Sequence, residues 1–543
     1  MKELIRHKLQ HDFKRIKISA KWVLFSIVSG LLVGGVGTLF YFGMYVVTLT
    51  RTKNPWLIFL LPVSGILIVG CYRLLHDEKD TGTNLVLSAI HSDEDLPLRM
   101  APLIFISTLI THLFGGSAGR EGAALQLGGS IGNGLGKLFR FDEKDKHIMI
   151  MCGMSAAFSA LFGTPMAAAV FSMEVVSVGV MYYAALVPCV ISSLVAHAVA
   201  EFFGVSQEMF LIGQIPAFKI TSAVKISVLA ILCAGVSIIF CVMLHQSEHL
   251  YKKFFKNPYV RIFAGGCFVL ILTLLVGNQN YNGTGINIIE QCIDGTVRPE
   301  AFFMKMLFTA LTLGAGFKGG EIVPSFFTGA AFGCLFGNLS GFSPTLCTAV
   351  GMAAVFCGVT NCPITALLIS FELFGYDGMP YFLLAVAFSY MLSGYYGLYS
   401  SQKIIYSKYN FNSQSEEIII YDAITKVKQV RLNNNVEHAM DLSFTYIIND
   451  IPYLLKKVDK STCFVNLNTQ KPEYRLHSDM KFRYMKNDIV VITRMRHRFF
   501  FIKKASEYIE AYRILDLHHP VLSTKAVYNS CAESGDDLII FTN

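Results

Sequence analysis

Arg120 and Glu121 form a charged pair inside the run Gly115-Gly116-Ser117-Ala118-Gly119-Arg120-Glu121-Gly122, with strongly apolar sequence on both sides. A carboxylate at membrane depth is costly to keep, so it marks a functional site by default. Four glycines among those eight residues remove the Cβ shield and let bare backbone approach a ligand. The run also opens a helix expected from Ala123 onward, whose first free N–H groups favour an anion. This chemistry is that of an anion site with a titratable carboxylate beside it.

A membrane scaffold must hold these residues. Of the 543 residues, 53% are hydrophobic and 15% charged, with a mean hydropathy of +0.49; a soluble domain would carry about 25% charged residues. Apolar stretches long enough to span a bilayer recur at 22–50, 56–75, 181–204, 222–247, 259–277 and 378–400. Between them lie shorter ones at 101–118, 124–137, 147–178, 301–316, 326–338 and 343–376, many broken by glycine, as re-entrant or discontinuous helices would be. The expected class is therefore an all-α polytopic membrane protein.

Residues 1–20 form a basic segment, and Lys2, Arg6, Lys8, Lys14, Arg15 and Lys17 outnumber Glu3 and Asp12. That excess places the N-terminus in the cytoplasm of a plasma or inner-membrane protein, with the C-terminus on the same side. The net charge of +8 reads as juxtamembrane basic residues rather than nucleic-acid binding. Thirteen scattered cysteines without a CxxC read as small core residues, so no disulfide framework, metal or cofactor is expected. The sequence has neither an HExxH motif nor a serine–histidine pair suited to intramembrane catalysis, and no enzyme is expected.

The membrane part reads as a duplication, repeat one over 21–206 and repeat two over 207–405. Thr81-Gly82-Thr83-Asn84 recurs as Thr284-Gly285-Ile286-Asn287; Ala123 with Gly128 and Gly132 matches Pro324 with Gly329 and Gly333. Gly153, Phe158, Pro165 and Glu174 match Gly351, Phe356, Pro363 and Glu372. Three matches in one order at nearly constant offset exclude incidental GxxxG packing as the whole explanation. Halves with broken helices are the pattern of transporter repeats meeting at a midplane site, and an odd number of crossings per half would invert the second.

Residues 416–543 read as a small cytoplasmic α+β regulatory domain. Strands are expected at Glu417–Tyr421, Lys426–Leu432, Asp488–Thr493 and Arg498–Ile502, and helices at Ile448–Lys457 and Ala505–Ile514. Residues 486–492 resemble part of the ligand-binding subdomain of potassium-channel regulators, which implies a small-molecule ligand there.

Gly119-Arg120-Glu121-Gly122 resembles the GREG or GKEG motif of the CLC family of anion channels and proton-coupled exchangers. Further signatures follow in order over about 400 residues: Asp80-Thr81-Gly82-Thr83-Asn84 in place of GSGIP, Gly320-Glu321-Ile322-Val323-Pro324 in place of GxFxP, and Gly397-Leu398-Tyr399-Ser400 where the family carries its pore tyrosine. Three details are similar to the fluoride/proton antiporter branch: Gly316-Phe317-Lys318-Gly319-Gly320-Glu321 matches its GFKGGE signature, Ser393-Gly394 precedes a shortened final helix, and Val175 follows Glu174 where chloride exchangers carry a proton glutamate. Two positions depart from that branch. Its usual Met or Asn is replaced by Thr81, Gly82 or Thr83 according to register, and Val323 stands where a threonine is typical.

The resemblance implies a homodimer in membrane lipid that moves fluoride one way and protons the other; a chloride/proton exchanger or passive chloride channel of the same fold is the alternative. Glu121, ionised, would occupy the anion's own site, and protonated would swing out; a structural salt bridge with Arg120 is the plainer role. Glu321 would handle the proton in the second half, or simply cap its helix. Tyr399 would offer a phenol O–H, and Ile322 and Val323 backbone N–H groups, to the ion. Gly82, Thr83, Asn84, Gly119, Arg120 and Gly122 complete the expected binding set, with Asn84 and Asn287 more as loop ties. Glu174, Glu372 and a packed His112 read as structural.

Overall fold

A computed structural model describes residues 2–75, 82–91, 96–206, 209–213, 215–404 and 408, and strands between residues 445 and 542; side chains are described from residue 17 to 408. The chain divides into two units, Met1–Lys428 and Gln429–Asn543.

The first unit runs through α1 (Lys2–Lys53), α2 (Leu61–Leu74), α3 (Thr83–His91), α4 (Met100–Leu113), α5 (Glu121–Leu138), α6 (Glu143–Phe162), α7 (Pro165–Glu174) and α8 (Leu186–Phe202). The same order of long, short and broken helices then returns as α9 (Ile220–Phe254), α10 (Pro258–Val276), α11 (Ile286–Ile293), α12 (Ala301–Ala315), α13 (Ile322–Ser340), α14 (Pro344–Thr360), α15 (Pro363–Phe374) and α16 (Met379–Leu392). No proline or glycine interrupts residues 2–20, and helix α1 runs through the basic lead into the apolar stretch.

Among the described residues six helices are long and apolar enough to cross a membrane: Lys17–Lys53, Pro55–Leu74, Tyr183–Phe202, Ile220–Phe254, Pro258–Val276 and Ile322–Ser340. The chain is a multi-pass membrane protein. The stretch at 378–400 gives only the 14-residue α16, which ends before Gly394 turns the chain at φ +60°. Conversely, 326–338 lies within a full-length helix, α13, that is mostly buried by its neighbours.

The repeated glycines are packing devices. A Cβ at Gly128 would strike the backbone of Gly153, and one at Gly132 that of Met149; Gly329 and Gly333 meet Gly351 and Cys347 in the same way. Each close approach locks one helix pair, α5 on α6 and α13 on α14. The halves also exchange contacts. Glu174 at the end of α7 accepts N–H bonds from Ile364 (3.0 Å) and Thr365 (2.8 Å) at the start of α15. Glu372 at the end of α15 accepts them from Met166 and Ala167 of α7, both at 2.9 Å. A two-residue parallel bridge, β1 (Ser177–Val178) with β2 (Lys403–Ile404), ties the end of the unit back to its first half.

The described residues of the second unit are all strand. One antiparallel sheet holds β3 (Thr445–Ile448), β4 (Ile451–Val458), β5 (Ser461–Asn466) and β6 (Pro472–Arg475) in sequence order. Another holds β7 (Met480–Lys486), β8 (Ile489–His497), β9 (Ala505–Arg513) and β10 (Leu522–Lys525), and β11 (Tyr528–Ser534) pairs with β12 (Asp537–Thr542). The helices expected at Ile448–Lys457 and Ala505–Ile514 are the strands β4 and β9. Pro452 disfavours a helix through the first; Tyr508, Ile509 and Tyr512 suit a pleated surface in the second. Residues 489–493 of the expected strand lie in β8, whereas Glu417–Tyr421, Lys426–Leu432 and Arg498–Ile502 lie outside the described residues.

Candidate functional site

The glycine runs of the two halves meet backbone to backbone. Gly119 N donates to Gly320 O at 2.7 Å and Gly320 N to Gly119 O at 2.8 Å, an isolated antiparallel bridge. Helices α5 and α13 each begin two residues beyond it, so their N-termini face a common point. Only glycine permits this: a Cβ on Gly320 would strike the Gly122 amide, and one on Gly119 the Glu121 carboxylate.

Glu121 fills that point. It is fully buried, and its Oε2 accepts the amide of Arg120 at 3.0 Å and that of Val323 at 3.4 Å. One carboxylate oxygen thus takes N–H groups from the starts of both helices, the position a bound anion would favour. Arg120 Nε lies 3.6 Å from Glu121 Oε1, so the salt bridge exists alongside the backbone seat. The Arg120 guanidinium is held between the rings of Tyr41 and Phe162, 5.4 and 5.7 Å from their centroids.

Other sequence candidates gather around Gly122. The position of a Cβ there would be 3.2 Å from both Thr83 Oγ1 and Glu321 Oε2. Among Thr81, Gly82 and Thr83, the buried Thr83 supplies the hydroxyl, which donates to Gly122 O at 3.4 Å; Thr81 lies outside the described residues. Among the described residues, Glu321 Oε2 is sealed from solvent without a hydrogen-bond partner, as is the Tyr399 hydroxyl, and the two side chains lie within electrostatic reach of each other and of Glu121. Ile322 is fully buried beside Val323. Gly82, at φ +72°, turns the chain into α3. Asn84 acts as a tie, its Oδ1 accepting the Ser401 amide at 3.1 Å. His112 is buried, its Nε2 3.3 Å from Gly119 O.

A family model for voltage gated chloride channels matches residues 65–394. A chloride/fluoride channel protein of Pseudomonas syringae pv. tomato is 34% identical over 410 residues, covering 74% of this chain and 90% of that one. The chain belongs to the CLC family. Its helical fold is that of a crystallised CLC-type fluoride/proton antiporter, with a TM-score of 0.68 and 32% identity over 71% of this CLC protein and 98% of the antiporter. An H(+)/Cl(-) exchange transporter of Vibrio cholerae is 26% identical over 65% of this chain and 81% of its own.

The structure adds residues that sequence reasoning missed. Gln126 is buried one turn into α5, with its Nε2 3.5 Å from where a Gly82 Cβ would be. Gln402 bonds the Val175 and Thr360 carbonyls, both at 3.0 Å, and fixes the segment bearing Tyr399. Buried Arg51 and Lys305 lie near the start of the glycine run. A lone lysine inside the apolar stretch 301–316 was the available signal for Lys305.

Proposed function

We propose that this CLC protein exports fluoride in exchange for protons, with Glu121 as the gate. The observation that carries the proposal is the seat itself: a buried carboxylate oxygen on the converging amides of Arg120 and Val323. Ionised, Glu121 holds those amides and excludes the anion. Protonation removes the charge that makes the seat favourable, the side chain leaves, and the amides pass to the anion. Neutral N–H donors bind the ion weakly enough to release it. Glu321, on the other side of Gly122, takes and returns the proton, and the Tyr399 hydroxyl offers the passing anion a donor. Val175, apolar and buried, supplies no proton group at its position.

Fluoride is favoured by the likeness to the fluoride/proton antiporter and to the chloride/fluoride channel protein. Chloride is the competing cargo, and the Thr83 hydroxyl beside Gly122 is the observation on its side. The test is efflux from proteoliposomes under an imposed pH gradient, fluoride against chloride, for the wild type and Glu121→Gln. The wild type should move fluoride uphill on protons and much faster than chloride, and the variant should lose that coupling. Equal or faster chloride flux would hand the cargo to chloride; no flux of either ion would remove the transport proposal.

A further inference from the structure

A cavity of about 760 Å³ opens beside the C-terminal end of α1, lined by Arg51 with Thr48, Trp56, Asn287 and Gln291 among others. Arg51 is only 9% exposed, and its Nε and Nη1 have no hydrogen-bond partner among the described residues. Behind it lies Lys305, fully buried, whose Nζ donates to the carbonyls of Tyr281 at 3.2 Å and Gly283 at 2.7 Å. Gly283 separates the two cations: the place of its Cβ is 2.7 Å from both Nη atoms of Arg51. The ion pairs among the described residues involve neither cation.

A buried guanidinium with unpartnered nitrogens is unfavourable unless a negative charge answers it. Among the described residues, backbone carbonyls meet Lys305 but nothing meets those Arg51 nitrogens. The cavity wall offers hydroxyl and amide side chains, which suit a partly hydrated ion. It also rests on the gate's own loop: Asn282 Nδ2 donates to Gly115 O at 2.7 Å and Gly283 N to Gly116 O at 3.0 Å. Glu121 follows a few residues along the same run.

We propose that this cavity is a second anion site, binding one small monovalent inorganic anion at Arg51 and serving as an antechamber to the Glu121 seat. Its place on the route rests on the transport proposal; the binding itself does not. The amides of Asn287 and Gln291 solvate the ion without adding charge.

The chain has two tryptophans, and Trp22→Phe leaves Trp56, in the cavity wall, as the single emitter. Iodide titrated into the detergent-solubilised Trp22→Phe protein at constant ionic strength should quench Trp56 saturably, and fluoride and chloride should compete. Arg51→Gln in that background should raise the half-quenching concentration at least tenfold, leaving a linear, collisional dependence. If Arg51→Gln fails to fold, Asn287→Asp decides instead: this exposed residue then carries a carboxylate into the cavity and should weaken iodide at least threefold. Linear quenching in Trp22→Phe itself, or unchanged saturation in the deciding variant, would overturn the proposal. Glu121→Gln should keep the saturation. Saturable quenching in a protein that moves no anion would leave this site standing while the transport proposal fell.

Discussion

Glu174 and Glu372 hold corresponding positions in the two halves and make matching amide bonds, each seating both carboxylate oxygens on the first amides of the opposing half's helix. Around the bridge between Gly119 and Gly320 the correspondence breaks. Counting from those glycines, Arg120 answers to Glu321 and Glu121 to Ile322. One half therefore lays a carboxylate across both helix starts, and the other has there a side chain without an oxygen to offer. A duplicated scaffold keeps its symmetric carboxylates where they brace the halves and diverges at the proposed anion seat. Two gates on one seat would oppose each other as like charges; one gate and one neighbouring relay can exchange a proton.

The strongest way to break the contrast is to remove the bridge on which both sides depend. Gly320→Ala puts a methyl group into the Gly122 amide and 3.1 Å from the Glu121 amide. Backbone has to shift, so anion flux in proteoliposomes should be abolished and thermal unfolding in detergent should show a loss of about 1–3 kcal/mol. Gly70→Ala, in α2 with open space around it, should change neither reading. Wild-type flux in Gly320→Ala would mean that the apposed helix starts are not the ion's path.

Next in size is Glu321→Gln, which keeps shape and removes the proton. With the Glu121 seat intact, the proton-driven component of fluoride efflux should fall at least tenfold while fold and thermal stability hold. Glu121→Gln should instead uncouple by leaving the seat to the anion. If Glu321→Gln couples as the wild type does, Glu321 is only a helix cap, and the two glutamates differ less than their surroundings indicate.

The scaffold was largely legible in the sequence, because its determinants are local. Apolar length marked most spans, and the repeated Gly128/Gly132 and Gly329/Gly333 pairs marked the helix contacts that the structure shows. The Glu121 seat could be named but not built, since its second amide comes from Val323, about 200 residues away. The role of Gln402 was illegible for the same reason: it holds carbonyls from two distant parts of the chain. The helices expected at Ile448–Lys457 and Ala505–Ile514 failed differently. There the aromatic and β-branched residues of β4 and β9 suit a pleated surface.

The smallest effect comes from the symmetric pair, and it measures how symmetric that pair is. Glu372→Gln turns one acceptor into a donor facing the amide of Met166 or Ala167 and removes the charge. Because hydrogen bonds to ionised groups contribute about 1.5–3 kcal/mol, a loss of that order is expected in thermal unfolding. Glu174→Gln should cost about 1 kcal/mol more, since Glu174 also accepts the Thr365 hydroxyl at 2.6 Å, whereas Ala167 stands in the corresponding place and has none. Thr365→Ala isolates the difference. It should cost about 1 kcal/mol in the wild type and close to nothing in Glu174→Gln, a coupling that a double-mutant cycle reads directly. Equal losses in all backgrounds would show that the hydroxyl is a bystander and that the brace is the same on both sides; a large loss of proton coupling in Glu174→Gln would move that residue from brace to relay.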